Sequence, residues 1–393
     1  MTRATDYDVI IIGGALAGGS TAYHLLQRDP SLRICVIEKD PSYEKAPSAL
    51  SMAGIRLLFS QVENLQMSQF GSQFYSNFGE SMKVDDDNVD LHFWKQGYLF
   101  IAGTPEQAAD MEENHRFQTN NGVNALLFDA EELSQRFPDI SNEGVTRAVF
   151  SPSDGWIDPY GALMGLRRKA ISLGATYIHG EVVDIAHDGS LVRSVTLADG
   201  KKITADHFVN TAGLYAAKVA KMVGMDLPVQ PLPRTQYYFE CHETFDPLPL
   251  TRDQVGVGFR PEGVGFLSGL TDMSRVGNFV DEPNWDAFEE HIWPMLATRV
   301  PKFEAIRLKH AWATHYAQNV FDGNAIIGRW EGGLSNFFVI AGCSGHGLQH
   351  APAAGRAISE LILTGRLEAL DLTRLSYQRI VDNRPYAEKG IKA

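Results

Sequence analysis

Residues 7–38, YDVIIIGGALAGGSTAYHLLQRDPSLRICVIE, decide the fold. The stretch from Asp6 to Ile12 is an apolar run that ends in Gly-Gly, the pattern of a strand buried on both faces of a parallel sheet. Residues 16–28 then set Leu16, Ala17, Ala22, Leu25 and Leu26 on one helical face. Residues 33–38, RICVIE, form a second strand. This strand–turn–helix–strand unit has the size of a mononucleotide-binding half. Its turn is Gly13-Gly14-Ala15-Leu16-Ala17-Gly18. In the dinucleotide fingerprint the first glycine makes the tight turn, the second lets backbone approach a pyrophosphate, and the third lets helix and strand pack closely. Gly13 and Gly18 keep the first and third positions, and Ala15 departs from the second by one methyl group. Free N–H groups and the positive dipole end of the helix then face the phosphates. Glu38 ends the second strand, where a carboxylate accepts hydrogen bonds from adenosine ribose hydroxyls and disfavours a 2′-phosphate, which argues against NADP.

The whole chain of 393 residues is globular in composition, with 44 % apolar and 21 % charged residues. Its length fits two domains, or one large α/β unit with an inserted layer. The net charge of −13 argues against a general nucleic-acid binder, without excluding a locally positive pocket. Cys35, Cys241 and Cys343 are scattered, odd in number and free of any CxxC pair, so neither a zinc knuckle nor a disulfide framework is expected. The first residues lead directly into an apolar strand, without a signal-like or Arg-rich amphipathic start, and no apolar run approaches the ~18 residues of a membrane span. The expected location is cytoplasmic, with no transmembrane segment.

Further along, the pattern predicts a helix over 62–84, a solvated loop around Asp85-Asp86-Asp87, a strand over 93–101, and helices over 105–120, 129–136 and 158–173. Strands are expected at 176–186, 191–197 and 203–209, followed by a strand-rich region to 340 with one helix near 285–298. A last strand, 336–341, runs into Gly342 and a helix over 346–363. The expected architecture is α/β: a Rossmann-like nucleotide layer built from 1–84, 144–228 and 330–393, interleaved with a β-rich α+β substrate layer from 85–143 and 229–329.

Two further stretches separate a flavin from a nicotinamide. DHFVNTAGL, 206–214, is a buried strand entering Ala-Gly and a helix, and NFFVIAGCSGHGLQ, 336–349, is another strand–Gly–helix turn near the carboxyl end. A plain NAD dehydrogenase has no need of the latter. A flavin ring lies far from its pyrophosphate, and a helix N-terminus aimed at the ring stabilises negative charge on it.

On these stretches, together with SALSMAGIRLLFS at 48–60, GWIDPYGALMGLRRKA at 155–170 and AGCSGHGLQHAPAAGRAISELILTGR at 341–366, the chain resembles the FAD-dependent oxidoreductase family that holds D-amino-acid oxidase, glycine oxidase, sarcosine oxidase and dimethylglycine dehydrogenase. GIRLLFSQVENLQMS and HAWATHYAQNVFDGNAIIG are similar to the oxidoreductase-domain branch related to the mitochondrial complex I assembly flavoprotein. The resemblance implies FAD contacts at the turn Gly13, Gly14, Ala15, Leu16, Ala17 and Gly18, and at Glu38 and Lys39. It also implies contacts at Ser48, Ala49, Leu50 and Ser51, at Val182, at Ala212 and Gly213, and at Gly342, Ser344, Gly345, His346, Gly347, Leu348 and Gln349. It further implies oxidation of the C–N bond of a secondary amine or amino acid by hydride transfer to the flavin, leaving an imine that hydrolyses. The electrons pass to oxygen, a quinone or an electron-transfer protein. Alternatives are a 2-hydroxy acid dehydrogenase and a flavin-bound assembly factor without turnover.

Departures from the family's pattern bear on substrate. Gln349 stands where several family oxidases place a Lys, and residues 222–301, where the sarcosine oxidases carry a Lys over the flavin, contain none. A dehydrogenase is therefore the expectation over an oxidase. The flavin-attaching Cys of the sarcosine oxidases aligns near His315, so a Cys linkage is not expected. The candidates for binding and catalysis are Arg56 and Arg260 for a carboxylate, His315 as a proton acceptor, and Tyr316 and His346 beside the flavin. Tyr238 and Trp312 are candidate aromatic walls.

Overall fold

Val9, Ile10 and Ile11 have no exposed surface, because their strand, Tyr7–Ile12, lies between two parallel neighbours. On one side Val9 and Ile10 pair with Ile34 and Cys35 of the strand Ile34–Glu38. On the other, Ile10 pairs with Phe208 of Lys202–Asn210. The computed structural model describes residues 5–254 and 256–390. In it this sheet runs Ile326–Arg329, Phe337–Ala341, Lys202–Asn210, Tyr7–Ile12, Ile34–Glu38, Thr176–His179, with an antiparallel ribbon of Val182–His187 and Val192–Leu197 attached to Lys202–Asn210. Only Ile326–Arg329 runs antiparallel within the main row. The four central strands therefore end at one edge, at Gly13, Lys39, Thr211 and Gly342. Ligands of open α/β sheets bind at such carboxyl-end edges, where the strand order reverses.

Two helices cross on one face of this sheet, Leu16–Arg28 and Gly347–Thr364. Their backbones approach so closely that a Cβ on Gly355 would stand 2.4 Å from the Ser20 Oγ. Pro352 lies within the second helix and has no N–H to return to the Leu348 carbonyl. The Tyr75 hydroxyl donates to that carbonyl instead, at 2.7 Å, and so satisfies the acceptor the proline leaves open.

The second layer is a sheet ordered Ile306–Asn319, Val229–Cys241, Gly265–Leu270, Val257–Glu262, Leu250–Arg252, Tyr98–Ala102, Arg147–Ser151, Leu126–Phe128. Only Leu250–Arg252 and Tyr98–Ala102 pair in parallel. A cluster including Phe239, Phe259, Phe266, Phe288 and Phe303 forms its core. The α/β class and the interleaving follow the sequence, with two shifts of boundary. Arg147–Ser151 pairs with Tyr98–Ala102 and so belongs to the second layer, not to the nucleotide layer that 144 was expected to open. Ile326–Arg329 pairs with Phe337–Ala341 and belongs to the nucleotide layer, ahead of 330.

Local differences have local causes. The helix expected over 62–84 breaks at Asn77 into Val62–Ser76 and Phe78–Met82. The strand expected from 93 begins only at Tyr98, after Gly97 turns at φ +88°. The run 176–186 is two strands, parallel to one neighbour and antiparallel to another, separated at Gly180 and Glu181. The helix near 285–298 begins as a π turn, Phe288–Ile292, just before Pro294, whose missing N–H interrupts the normal ladder.

Candidate active site

The phosphate turn is built on contact distances that exclude side chains. Gly13 has φ +102°, and a Cβ there would stand 2.6 Å from the Thr211 carbonyl oxygen. A Cβ on Gly18 would stand 1.9 Å from the Gly13 carbonyl oxygen. Thr211 ties the turn to the neighbouring strand by donating its hydroxyl to that same Gly13 oxygen at 2.7 Å. Ala15 sits at φ −71°, ψ −159°, an extended conformation that alanine adopts without strain, so its departure from the fingerprint leaves the backbone path intact. The helix after it has no side-chain cap, which leaves its first N–H groups for a ligand. Glu38 braces the turn from the other side: its carboxylate accepts from Gly14 N at 2.7 Å and from Asp40 N at 2.9 Å.

Three cavities meet along this edge. The first, about 790 Å³, is lined by Gly13, Ala15, Glu38, Lys39, Leu50, Val182, Ala212 and Gly213 among others, with the Lys39 ammonium 3.4 Å above the Tyr215 ring. The second, about 200 Å³, takes Ala15, Leu16, Ala17, Ser48, Ser51, Gly213, Gly342, Ser344, Gly345, His346, Gly347, Leu348 and Gln349 into its wall. The two share Ala15, Pro47, Thr211, Gly213, Leu214 and His315, which makes one elongated track with the uncapped helix end at its middle. The third, about 600 Å³, shares Arg56, Arg252, Tyr316, Ser344 and His346 with the second. The first two together are long enough for a dinucleotide, with Glu38 towards one end and 342–349 towards the other, and the third adjoins them. Gly14 and Gly18 shape the turn from behind it. Ala49 lies elsewhere, in an outer groove with Arg260, Tyr238 and Trp312.

The candidate substrate groups separate accordingly. Arg56 is 4 % exposed and stands at the junction of the second and third cavities. Its Nη2 lies 3.0 Å from His346 Nε2, its Nη1 donates to the Leu58 carbonyl, and its guanidinium stacks 3.9 Å from the Phe59 ring. Its backbone N–H donates at 2.9 Å to the side-chain oxygen of Gln349, so this position anchors the segment just after the strand Gly54–Ile55. Burial lowers the pKa of Arg56, opposed by Tyr98, Glu388 and Asp154. Tyr316 lines both cavities beside it.

Arg260 does not reach the site. Its Nε donates to the Met52 carbonyl at 2.7 Å, its Nη1 donates to the Pro261 carbonyl and pairs with Glu262, and the side chain lies over Trp156, which holds it in an outer groove apart from the three cavities. Tyr238 and Trp312 line that same outer groove. His315 faces the cofactor track rather than the third cavity. Its Nε2 accepts from Val280 N at 3.0 Å, its ring stacks 4.3 Å from Phe279, and burial lowers its pKa, so that nitrogen is not a free proton acceptor.

Three groups were missed. Arg252, 3 % exposed, lines the second and third cavities beside Arg56, and Arg234, 1 % exposed, lies 4.6 Å from the Tyr316 ring. Asp154, 1 % exposed, accepts from Leu57 N at 2.8 Å next to Arg56, and burial pushes its pKa up to about 7. No motif marks any of them in sequence. Among the described residues no helix is long and apolar enough to cross a membrane, and no cluster of three or more metal-ligating side chains occurs.

Comparison with known proteins agrees with this geometry. Residues 8–361 match the family described as "DAO: FAD dependent oxidoreductase". "FAD-dependent oxidoreductase domain-containing protein 1" of Xenopus laevis is 36 % identical, covering 98 % of this chain and 84 % of the relative. "Dimethylglycine dehydrogenase, mitochondrial" of Rattus norvegicus is 26 % identical over 95 % of this chain and 44 % of its own length. The crystal structure of L-proline dehydrogenase from P. horikoshii superposes with a TM-score of 0.86, at 22 % identity, covering 98 % of this chain and all of that one. The family match over residues 8–361 and the relative 36 % identical along nearly the whole chain show that the chain belongs to the FAD-dependent oxidoreductase family.

Proposed function

We propose that the protein oxidises the C–N bond of a carboxylate-bearing secondary amine or amino acid. The observation that carries this reading is the pair Arg56 and Arg252, two buried guanidiniums at the mouth between the cofactor track and the third cavity. Neither forms an ion pair among the described residues. A buried cation without an ion pair is costly, and a substrate carboxylate is a partner that relieves it. The name of the dimethylglycine dehydrogenase relative, whose substrate is itself an amine with a carboxylate, supports the same class.

FAD, when bound along the track, supplies the two-electron acceptor for the hydride taken from the carbon next to nitrogen. The chain's own groups hold the substrate. Arg56 binds the carboxylate, with Arg252 in the same shared wall of the second and third cavities. His346 accepts from Arg56 and fixes the plane of its guanidinium. Tyr316 and Phe100 wall the third cavity. The resulting imine is hydrolysed by water. The wall of the second cavity contains no lysine among the described residues, which supports a dehydrogenase over an oxidase with a lysine above its flavin.

The test is anaerobic mixing of the yellow holoprotein with N-methyl amino acids, proline, free amino acids and 2-hydroxy acids. Loss of the visible flavin band with the amines is expected. Bleaching by hydroxy acids alone overturns the C–N reading. Peroxide release as fast as dye reduction overturns the dehydrogenase preference.

A further inference from the structure

The strands Val257–Glu262 and Gly265–Leu270 carry glycines directly opposite one another, Gly258 and Gly269. Together they leave a bare patch on the sheet, and two arginines lie across it from either side. A Cβ on Gly258 would stand 2.5 Å from Arg252 Nη1, and one on Gly269 would stand 3.4 Å from Arg234 Nη2. Both guanidiniums donate to a single hydroxyl, Thr271 Oγ1, which lines the third cavity. Beyond that hydroxyl the donors go unused. Arg252 Nε, Arg234 Nε and Arg234 Nη2 are buried and have no partner among the described residues. Among the described residues no carboxylate pairs with either side chain. One neutral oxygen therefore serves two buried cations a short way from Arg56, a third. A single substrate carboxylate placed at Arg56 leaves this second cluster uncompensated, and burying guanidiniums without an anion is costly.

We propose that the third cavity takes a substrate with two acidic groups, an amino or imino dicarboxylate. One carboxylate is held by Arg56, and the other by Arg252 with Arg234 and Thr271 behind it. This deepens the proposed function and rests on it. Arg252 contacts the distal acid directly. Arg234 is a positioning residue, stacked on Tyr316 and braced on Thr271. The third cavity, about 600 Å³, extends past Thr271 to Met273 and Val276 and has room for the longer molecule.

The test uses non-reacting probes, so that it does not depend on turnover. Malonate, succinate and glutarate are titrated against butyrate into FAD-loaded protein, read by perturbation of the flavin absorbance. At least one diacid is expected to bind about tenfold or more tighter than butyrate, as one added charge-assisted contact implies. Arg252→Met removes the cation while keeping an apolar stem of similar reach. It should abolish the diacid advantage and leave butyrate binding within about threefold. Thermal unfolding gives a second readout: the best diacid should raise the melting temperature of the wild type and not of the variant. Equal binding of diacids and butyrate to the wild type overturns the second acid site while the carboxylate reading stands. Failure of every acid to bind overturns both. A variant that keeps the diacid advantage and instead shifts the flavin midpoint potential assigns Arg252 to the cofactor and overturns the inference.

Discussion

Replacing Asp154 by Asn should stabilise the protein above pH 7 and leave it unchanged near pH 4. Asp154 is 1 % exposed, and burial drives its carboxyl to about 7. The Leu57 N–H, the Ser151 side chain and the charge of Arg56 pull the other way without overcoming the loss of water. In the unfolded chain the same carboxyl titrates near 4. Between about pH 4 and pH 7 the folded state keeps a proton that the unfolded state gives up, so stability falls as pH rises through that window. Above it the whole difference persists. Three pH units at ~1.4 kcal/mol each amount to about 4 kcal/mol. Asn retains an oxygen to accept from Leu57 N, so the substitution removes the titration and little of the local bonding.

The assay is denaturant unfolding of wild type and Asp154→Asn at several pH values from about 4.5 to 8.5, each at the same FAD saturation. The stability gap should open from near zero at the acid end to several kcal/mol at the alkaline end. A gap of constant size refutes the reasoning, as does a variant less stable than wild type at pH 8.5. The same proton has a functional consequence. Ionised Asp154 offsets the charge of Arg56, so carboxylate binding by the wild type should weaken as pH rises through 7, and the Asn variant should lose that inflection.

Gly18→Ala places its methyl against the Gly13 carbonyl oxygen and should yield colourless or insoluble protein, measured as flavin absorbance per mole of chain; a yellow variant with unchanged FAD affinity removes Gly18 from the turn's design. Arg56→Ala should weaken butyrate binding by about a hundredfold, the value of a buried charge-assisted pair. Its FAD affinity should change far less, and equal losses would mean that Arg56 serves the cofactor. Glu388 accepts from Ser60 N at 2.7 Å and also from the Ser60 hydroxyl and the Asn64 amide, which holds the segment 387–390 against the third cavity. Glu388→Ala should expose that segment to limited proteolysis at low protease, with the rest of the chain resistant; unchanged cleavage would show that the segment is held by other contacts.

The cofactor track was legible in the sequence because its parts are local. Gly13 and Gly18 meet within one turn, Glu38 ends the strand paired beside it, and 341–349 is a continuous strand–Gly–helix passage. The acid-binding face was not legible, because strand pairing assembles it. Arg252 reaches the site from a three-residue strand that pairs in parallel with Tyr98–Ala102, about 150 residues earlier in the chain. Arg234 reaches it through the register that sets Gln236 opposite Gly269. Arg260, also an arginine on an apolar strand, lies two residues along the same face from Gly258, yet Glu262 and the Met52 carbonyl hold it in the outer groove. What distinguishes the two arginines is the residue beside each. Arg252 pairs with Gly258, whose missing Cβ lets the guanidinium lie across the sheet, whereas Arg260 pairs with Leu267, which has a side chain at that place. Glycines inside apolar strands are themselves a sequence signal, since they weaken a strand and persist where another group must come close. Gly258 and Gly269, in VGVGF and FLSGL, carried that signal. Converting it into a site required the register that sets them opposite each other, and no periodicity within either segment contains it.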